Sequence, residues 1–132
     1  MLNQVFSPDS PYKRRARFLA MLWTLLIFIL CFIPAKELPE VDIPLADKWV
    51  HFLLFGIFSF LWLCSRPSRQ AGFLLLIFAA GIFTGWVVEE LQGLLTFLGR
   101  SKDVMDILAD SIGALLGVLL FALLSYMSER RK

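Results

Sequence analysis

The chain is poor in the residues that most often carry soluble enzyme chemistry. Its 132 residues include one histidine and two cysteines, and 18% are charged. There is no Gly-x-Ser-x-Gly elbow, no Walker-type glycine-rich loop and no His-Glu-x-x-His pair, so the signatures of hydrolases, nucleotide binders and zinc proteases are absent. Cys31 and Cys64 fall near opposite ends of their apolar runs, out of disulfide reach, and are expected as small apolar fillers. No repeat or low-complexity segment occurs. What is abundant is apolar: 58% of residues are hydrophobic and the mean hydropathy is +0.73. A soluble fold this small cannot hide so much apolar surface, so the sequence predicts a membrane protein.

Four runs approach the roughly 20 apolar residues that a helix needs to cross a bilayer core of roughly 30 Å. They are Phe18 to Ile33, Trp49 to Cys64, Ala71 to Val88 and Ile107 to Met127. Pro34, the Ser65-Arg66-Pro67-Ser68-Arg69 turn and Gly99-Arg100-Ser101-Lys102 separate them with breakers and charges that a lipid-facing helix would not tolerate. The first run begins as a signal peptide does, but Ile33-Pro34-Ala35 is a poor cleavage site and the run is long for a signal, so it is read as a retained signal anchor. The expected fold is all-α, a bundle of four transmembrane helices. A basic cytoplasmic tail is expected over residues 1–17, the membrane domain over 18–127 and a second basic tail over 128–132. Residues 1 to 12, with Pro8 and Pro11, read as a loose tail, and Trp23, Trp49, Trp62 and Trp86 as interfacial anchors.

Orientation follows from the basic residues. Lys13, Arg14, Arg15, Arg17, Arg66, Arg69, Arg130, Arg131 and Lys132 fall on one face of a four-span protein, and only Lys36, Lys48, Arg100 and Lys102 on the other. The positive-inside bias then places both termini in the cytoplasm.

The second, third and fourth runs each bring ionisable groups to a similar outer depth. At about 1.5 Å per residue, Glu89 lies about 27 Å along its helix from Ala71, Asp110 about 26 Å from Met127, and His51 about 20 Å from Cys64. Helical phase puts Asp47 with His51, Glu89 with Gln92, and Asp103, Asp106 and Asp110 along one stripe. That stripe continues as Gly113 and Gly117, a pair that lets a neighbouring backbone approach closely. Glu90, about 100° around from Glu89, cannot share that face and is expected at the rim or among the headgroups. An ionisable group within a span is by default a functional candidate, and Glu89 is the strongest; its expected partners are His51 and Arg100. Arg100 and Lys102 sit against the basic bias and are expected to pair with Asp106 or to hold an anion. Lys48 is read as a snorkelling lysine beside a helix cap, and Gln92 as a helix-bridging hydrogen bonder.

Asp47-Lys48-x-x-His51 opening an apolar helix, Glu89-x-x-Gln92 ending another, then Arg100, and Asp106 with a polar residue at 110 and Gly113 and Gly117 behind it, resembles the VanZ-like membrane family. The resemblance covers about residues 18 to 125. Similar proteins usually carry asparagine where this chain has Asp110. It implies a small polytopic protein of the bacterial envelope, in a family whose founding member is associated with low-level resistance to the lipoglycopeptide teicoplanin, and it implies no known reaction.

The favoured reading is an outward-opening polar cleft that binds an envelope amphiphile, a lipid headgroup or a lipid-tailed antibiotic, through Asp47, His51, Glu89, Gln92, Arg100, Asp106 and Asp110. One histidine among several carboxylates could hold a divalent cation, oxygen-rich and nearer magnesium or calcium than structural zinc, with Glu89, Asp106 and Asp110 as candidate ligands. A second reading is a metal-assisted hydrolase or transferase acting on a lipid-linked phosphate, with Glu89 or Asp106 as base and His51 as acid or ligand. A third is a structural subunit whose buried charges hold helices or a partner membrane protein together, with helix-mediated oligomers included. No nucleic-acid partner is expected. The topology makes one direct prediction. In intact cells, cysteines placed at positions 3 and 130 should be shielded from an impermeant thiol reagent and one at position 40 should label; labelling of either terminus from outside would reverse the orientation.

Overall fold

The computed structural model describes residues 2–130 and is helical throughout, with no strand among them. Arg131 and Lys132, counted above in the basic C-terminus, lie outside the described residues. A short α1 (Leu2–Val5) precedes four long helices: α2 (Lys13–Cys31), α3 (Ala46–Ser65), α4 (Ala71–Leu94) and α5 (Val104–Glu129). Short 3-10 turns, Ala35–Glu37 and Thr96–Leu98, interrupt the α2–α3 and α4–α5 connections. Each apolar run forms a helix that extends into at least one polar flank, although α2 stops at Cys31, two residues short of the end of its run. Backbone hydrogen bonding does not stop where hydrophobicity does, and Asp103, whose carboxylate accepts from the Met105 N–H at 2.8 Å, starts α5 ahead of its apolar run.

Three helices, α3, α4 and α5, are long and apolar enough to cross a membrane. α2 falls short of that composition because Lys13, Arg14, Arg15 and Arg17 form its first turn and a half rather than belonging to a tail outside it. Large apolar side chains such as Leu75, Leu76, Phe83, Leu119 and Leu120 are exposed, as on surfaces meant for lipid.

α3 is the centre of the structure, touching α2, α4 and α5, and its most extensive contact is with α5. Glycine makes that contact. A Cβ added to Gly113 would collide with the Phe52 carbonyl, and one added to Gly117 with the Gly56 carbonyl. The close approach lets Ser59 Oγ donate to the Ala114 carbonyl at 2.8 Å, bridging the helices. α4 joins in the same manner, since a Cβ on Gly81 would lie 2.8 Å from Ala114 Cβ and one on Gly85 2.5 Å from Asp110 Oδ2.

Two findings differ from the sequence reading. The N-terminal segment is not loose: Phe6 is buried, its ring 5.5 Å from that of Phe121 and 6.3 Å from that of Phe60, because an aromatic edge fits the gap left between α3 and α5 at the end away from His51. Trp23 and Trp62 are not interfacial anchors either. Their indoles turn inward, Trp23 Nε1 donating to the Leu54 carbonyl at 2.8 Å and Trp62 Nε1 to Thr24 Oγ1 at 3.1 Å, and so join α2 to α3. Trp49 and Trp86 remain exposed.

Because the α3–α5 interface has no room for a methyl group, Gly113→Ala and Gly117→Ala should each lower stability in detergent by about 1–3 kcal/mol. Gly72→Ala, where an added Cβ meets nothing within 4 Å, should leave the melting temperature unchanged or slightly raised.

Candidate functional site

The α3–α5 contact sets Asp110 beside His51. His51 Nδ1 and Asp110 Oδ1 are hydrogen-bonded at 2.8 Å, and both residues are buried. Gly85 of α4 leaves the space that the Asp110 carboxylate fills. One turn toward the helix start, Asp106 Oδ2 lies 3.6 Å from His51 Nε2. Glu89 arrives from α4 fully buried, its Oε2 accepting the Asp103 N–H at 2.8 Å. His51, Glu89, Asp106 and Asp110, which the sequence places at one depth, therefore meet.

Lys48 is the cation of this layer. Its Nζ lies 2.6 Å from Asp47 Oδ2, from Asp103 Oδ2 and from Asp106 Oδ1, so one ammonium ties the start of α3 to the start of α5. The same ammonium holds the Asp103 carboxyl below the usual carboxylate range, which keeps it ionised at neutral pH. Lys48 was undervalued as a snorkelling side chain. The signal for it was its three-residue spacing from His51, which puts both on one helix face, together with its position against the basic bias.

Arg100 goes elsewhere. It pairs with neither Glu89 nor Asp106: its Nε donates to the Ile33 carbonyl at 2.9 Å and its Nη2 to the Leu30 carbonyl at 3.4 Å. Gln92 Nε2 donates to the Cys31 carbonyl at 2.7 Å. The last carbonyls of a helix have no intrahelical partner, and a cation there also meets the negative end of the helix dipole, so these two side chains together cap α2. Gln92 thus bridges helices as expected. Lys102 pairs with Glu90 at the rim.

Three buried carboxylate oxygens lack a well-formed hydrogen bond: Glu89 Oε1, Asp106 Oδ1 and Asp110 Oδ2. The Lys48 ammonium compensates Asp106 by charge at 2.6 Å even where the bond is poorly directed, which leaves Glu89 Oε1 and Asp110 Oδ2 as the two bare acceptors. One oxygen or nitrogen each from His51, Glu89 and Asp106 lies within 4.8 Å of the others.

Beside this layer is a cavity of about 440 Å³ between α2, α3 and the connecting segment that holds Leu38, Val41, Ile43 and Leu45. Its wall is mostly apolar; the ionisable side chains on it are Asp47, His51 and Arg100. Leu45, at the mouth of α3, holds φ 57°, a left-handed conformation unusual for a branched side chain, and so turns the segment across the cavity.

Membrane-length helices around a buried layer of one imidazole and several carboxylates define a small polytopic helical membrane protein with a polar site at one end. The sequence profile of the VanZ/LLP1 family matches residues 9–125, and the chain belongs to that family. No curated protein and no solved structure matches it.

If the layer is one cooperative unit, His51→Gln and Asp110→Asn should be non-additive, the double substitution costing less than the sum of the singles by about 0.5–3 kcal/mol. The rim pair Glu90 and Lys102, treated in the same way, should couple by no more than about 1 kcal/mol. Unfolding in detergent measures both cycles, and additive losses at His51 and Asp110 would contradict the cluster.

Proposed function

We propose that this VanZ/LLP1 family member is a four-span protein of the bacterial inner membrane, with both termini cytoplasmic, that binds an envelope amphiphile at the cavity beside His51. α2 serves as the fourth span. Its arginines can snorkel, so the apolar remainder needs to cover less of the bilayer. The ligand class is a lipid with an anionic headgroup or a lipid-tailed antibiotic of the lipoglycopeptide kind, and binding the latter would contribute to resistance.

The observation that carries this reading is the cavity itself. It is lined by Leu38, Val41, Ile43, Leu45, Val50 and Leu54 on its apolar side and reaches Asp47, His51 and Arg100 on its polar side. Such a wall, mostly apolar with a few convergent polar groups, suits a molecule with a tail and a head. A guanidinium has five N–H donors; Arg100 directs donors from two of its nitrogens at the Leu30 and Ile33 carbonyls, which leaves others for a headgroup oxygen. A second reading, a hydrolase or transferase acting on a lipid-linked phosphate, draws on the buried His51–Asp110 pair, which resembles the base and orienter of a general-base catalyst.

Amphiphile binding is tested by lipid extraction and mass spectrometry of the protein purified in mild detergent. One lipid class should be enriched over the bulk membrane. Val50→Trp, which fills the cavity, should reduce that enrichment at least tenfold, equivalent to about 1.4 kcal/mol of binding. Bulk-like lipid in both proteins would count against the reading, and release of a dephosphorylated or transferred product on incubation would favour the enzyme instead.

A further inference from the structure

We propose that His51, Glu89 and Asp106 form a binding site for a divalent first-row cation, Mn2+ or Zn2+, with Asp110 orienting the imidazole. Geometry supplies the first reason. The His51 Nδ1–Asp110 Oδ1 bond is 2.8 Å; when Asp110 is ionised its carboxylate can only accept, so Nδ1 carries the proton and Nε2 presents its lone pair. Nε2 faces Asp106 Oδ2 at 3.6 Å, too far for a hydrogen bond. A cation bonded to both at about 2.1 Å would hold its two ligand atoms about 3.0–3.5 Å apart, close to the separation present. Glu89 completes the set, with one ligand atom from each of the three within 4.8 Å of the others.

Glu89 supplies an independent reason. Its side chain is 0% exposed; Oε2 is held by the Asp103 N–H, and Oε1 has no hydrogen-bond partner. A carboxylate oxygen so buried is costly unless something pairs with it, and a cation in the triad would be that partner. Of the neighbouring cations, Arg100 caps the end of α2 and Lys102 pairs with Glu90, while Lys48 meets Asp106 through Oδ1 and leaves Oδ2 to face His51. A second acidic group, Asp47, Asp103 and Asp106, has similar spacing, but Lys48 Nζ sits 2.6 Å from each of the three carboxylates and takes the cation's place there.

The choice of ion follows from the donors. The magnesium or calcium expected from the sequence counts Asp110 as a third carboxylate ligand; with Asp110 on His51 Nδ1, one nitrogen and two oxygens remain, which suits Mn2+ or Zn2+ better than the all-oxygen shells of magnesium and calcium. Asp110 then plays the part of the carboxylate that fixes the ring of a metal-binding histidine through its other nitrogen. Of the triad, only His51 also lines the cavity, so the ion site is built without the amphiphile and does not depend on it.

The test is titration of the chelator-stripped, detergent-solubilised protein with Mn2+ and Zn2+, read by calorimetry and by metal content after desalting. One equivalent per chain is expected. Glu89→Gln and Asp106→Asn should weaken binding at least 100-fold, Asp110→Asn by about 10–100-fold, and Glu90→Gln at the rim should leave it unchanged. The cavity-filling Val50→Trp should bind metal as the parent does, so that loss of amphiphile and loss of metal are read separately. Absence of stoichiometric binding, or equal affinity in Glu89→Gln, would overturn the proposal. Should Glu89→Gln fail to fold, Asp110→Asn decides: weakened binding supports the site, and unchanged affinity overturns it.

Discussion

The carbonyls of Phe52 and Gly56 rest on Gly113 and Gly117, and the polar end of the protein depends on that contact. Lipid tails are as apolar as leucine, so within a bilayer the hydrophobic effect does not draw one helix to another, and close packing with interhelical hydrogen bonds must do so. Glycine removes the Cβ that would hold α3 and α5 apart. The helices then come near enough for Ser59 to bond across to Ala114 and, farther along, for His51 to reach Asp110. Any side chain at 113 or 117 would therefore act twice, on packing and on the His51–Asp110 hydrogen bond above it.

Each acid of the layer has a partner through at least one carboxylate oxygen, although Glu89 Oε1 and Asp110 Oδ2 stay bare. Lys48 gathers three carboxylates, Asp103 lends its backbone N–H to Glu89, and His51 takes Asp110. Arg100 and Gln92 apply the same economy to the backbone of α2, whose final carbonyls would otherwise be left without donors. These contacts run between α2, α3, α4 and α5, so the polar end joins all four long helices even though α2 contributes no ionisable group to the cluster.

Much of this was legible in the sequence, and the parts that were not have physical reasons. The apolar runs become helices because length and composition leave few alternatives, and the meeting of His51, Glu89, Asp106 and Asp110 follows from depth and phase. Glycine at 113 and 117 announced its own role. Gly81 and Gly85 carry the same four-residue spacing in α4 and run on the same face into Glu89, a signal for the Asp110 pocket that went unread because only the acid of that stripe drew attention. The destination of Arg100 was misjudged because its partners, the carbonyls of Leu30 and Ile33, are backbone groups that every residue has and no sequence pattern marks. Lys48 was undervalued because a long flexible side chain can snorkel or turn inward from the same position. Phe6 shows the same limit for a single aromatic ahead of the first run, whose burial depends on a gap that exists only after α3 and α5 have packed.

A carboxylate at position 110 has a consequence that an amide would not enforce. An amide can present either a donor or an acceptor to His51, whereas an ionised carboxylate presents acceptors alone. With Asp110 the imidazole gives its Nδ1 proton to that contact, and Nε2 turns an unshared pair toward Asp106 Oδ2 at 3.6 Å. Glu89 Oε1 is likewise a bare acceptor when ionised. The centre of the layer is then a meeting of acceptors with no donor among them, a state that burial penalises and that only an added proton or cation relieves. An asparagine at 110 could reverse the tautomer of His51 and give the centre a donor of its own. Residue 110 therefore governs which charge the site must take up, although it touches the imidazole from the side away from Asp106.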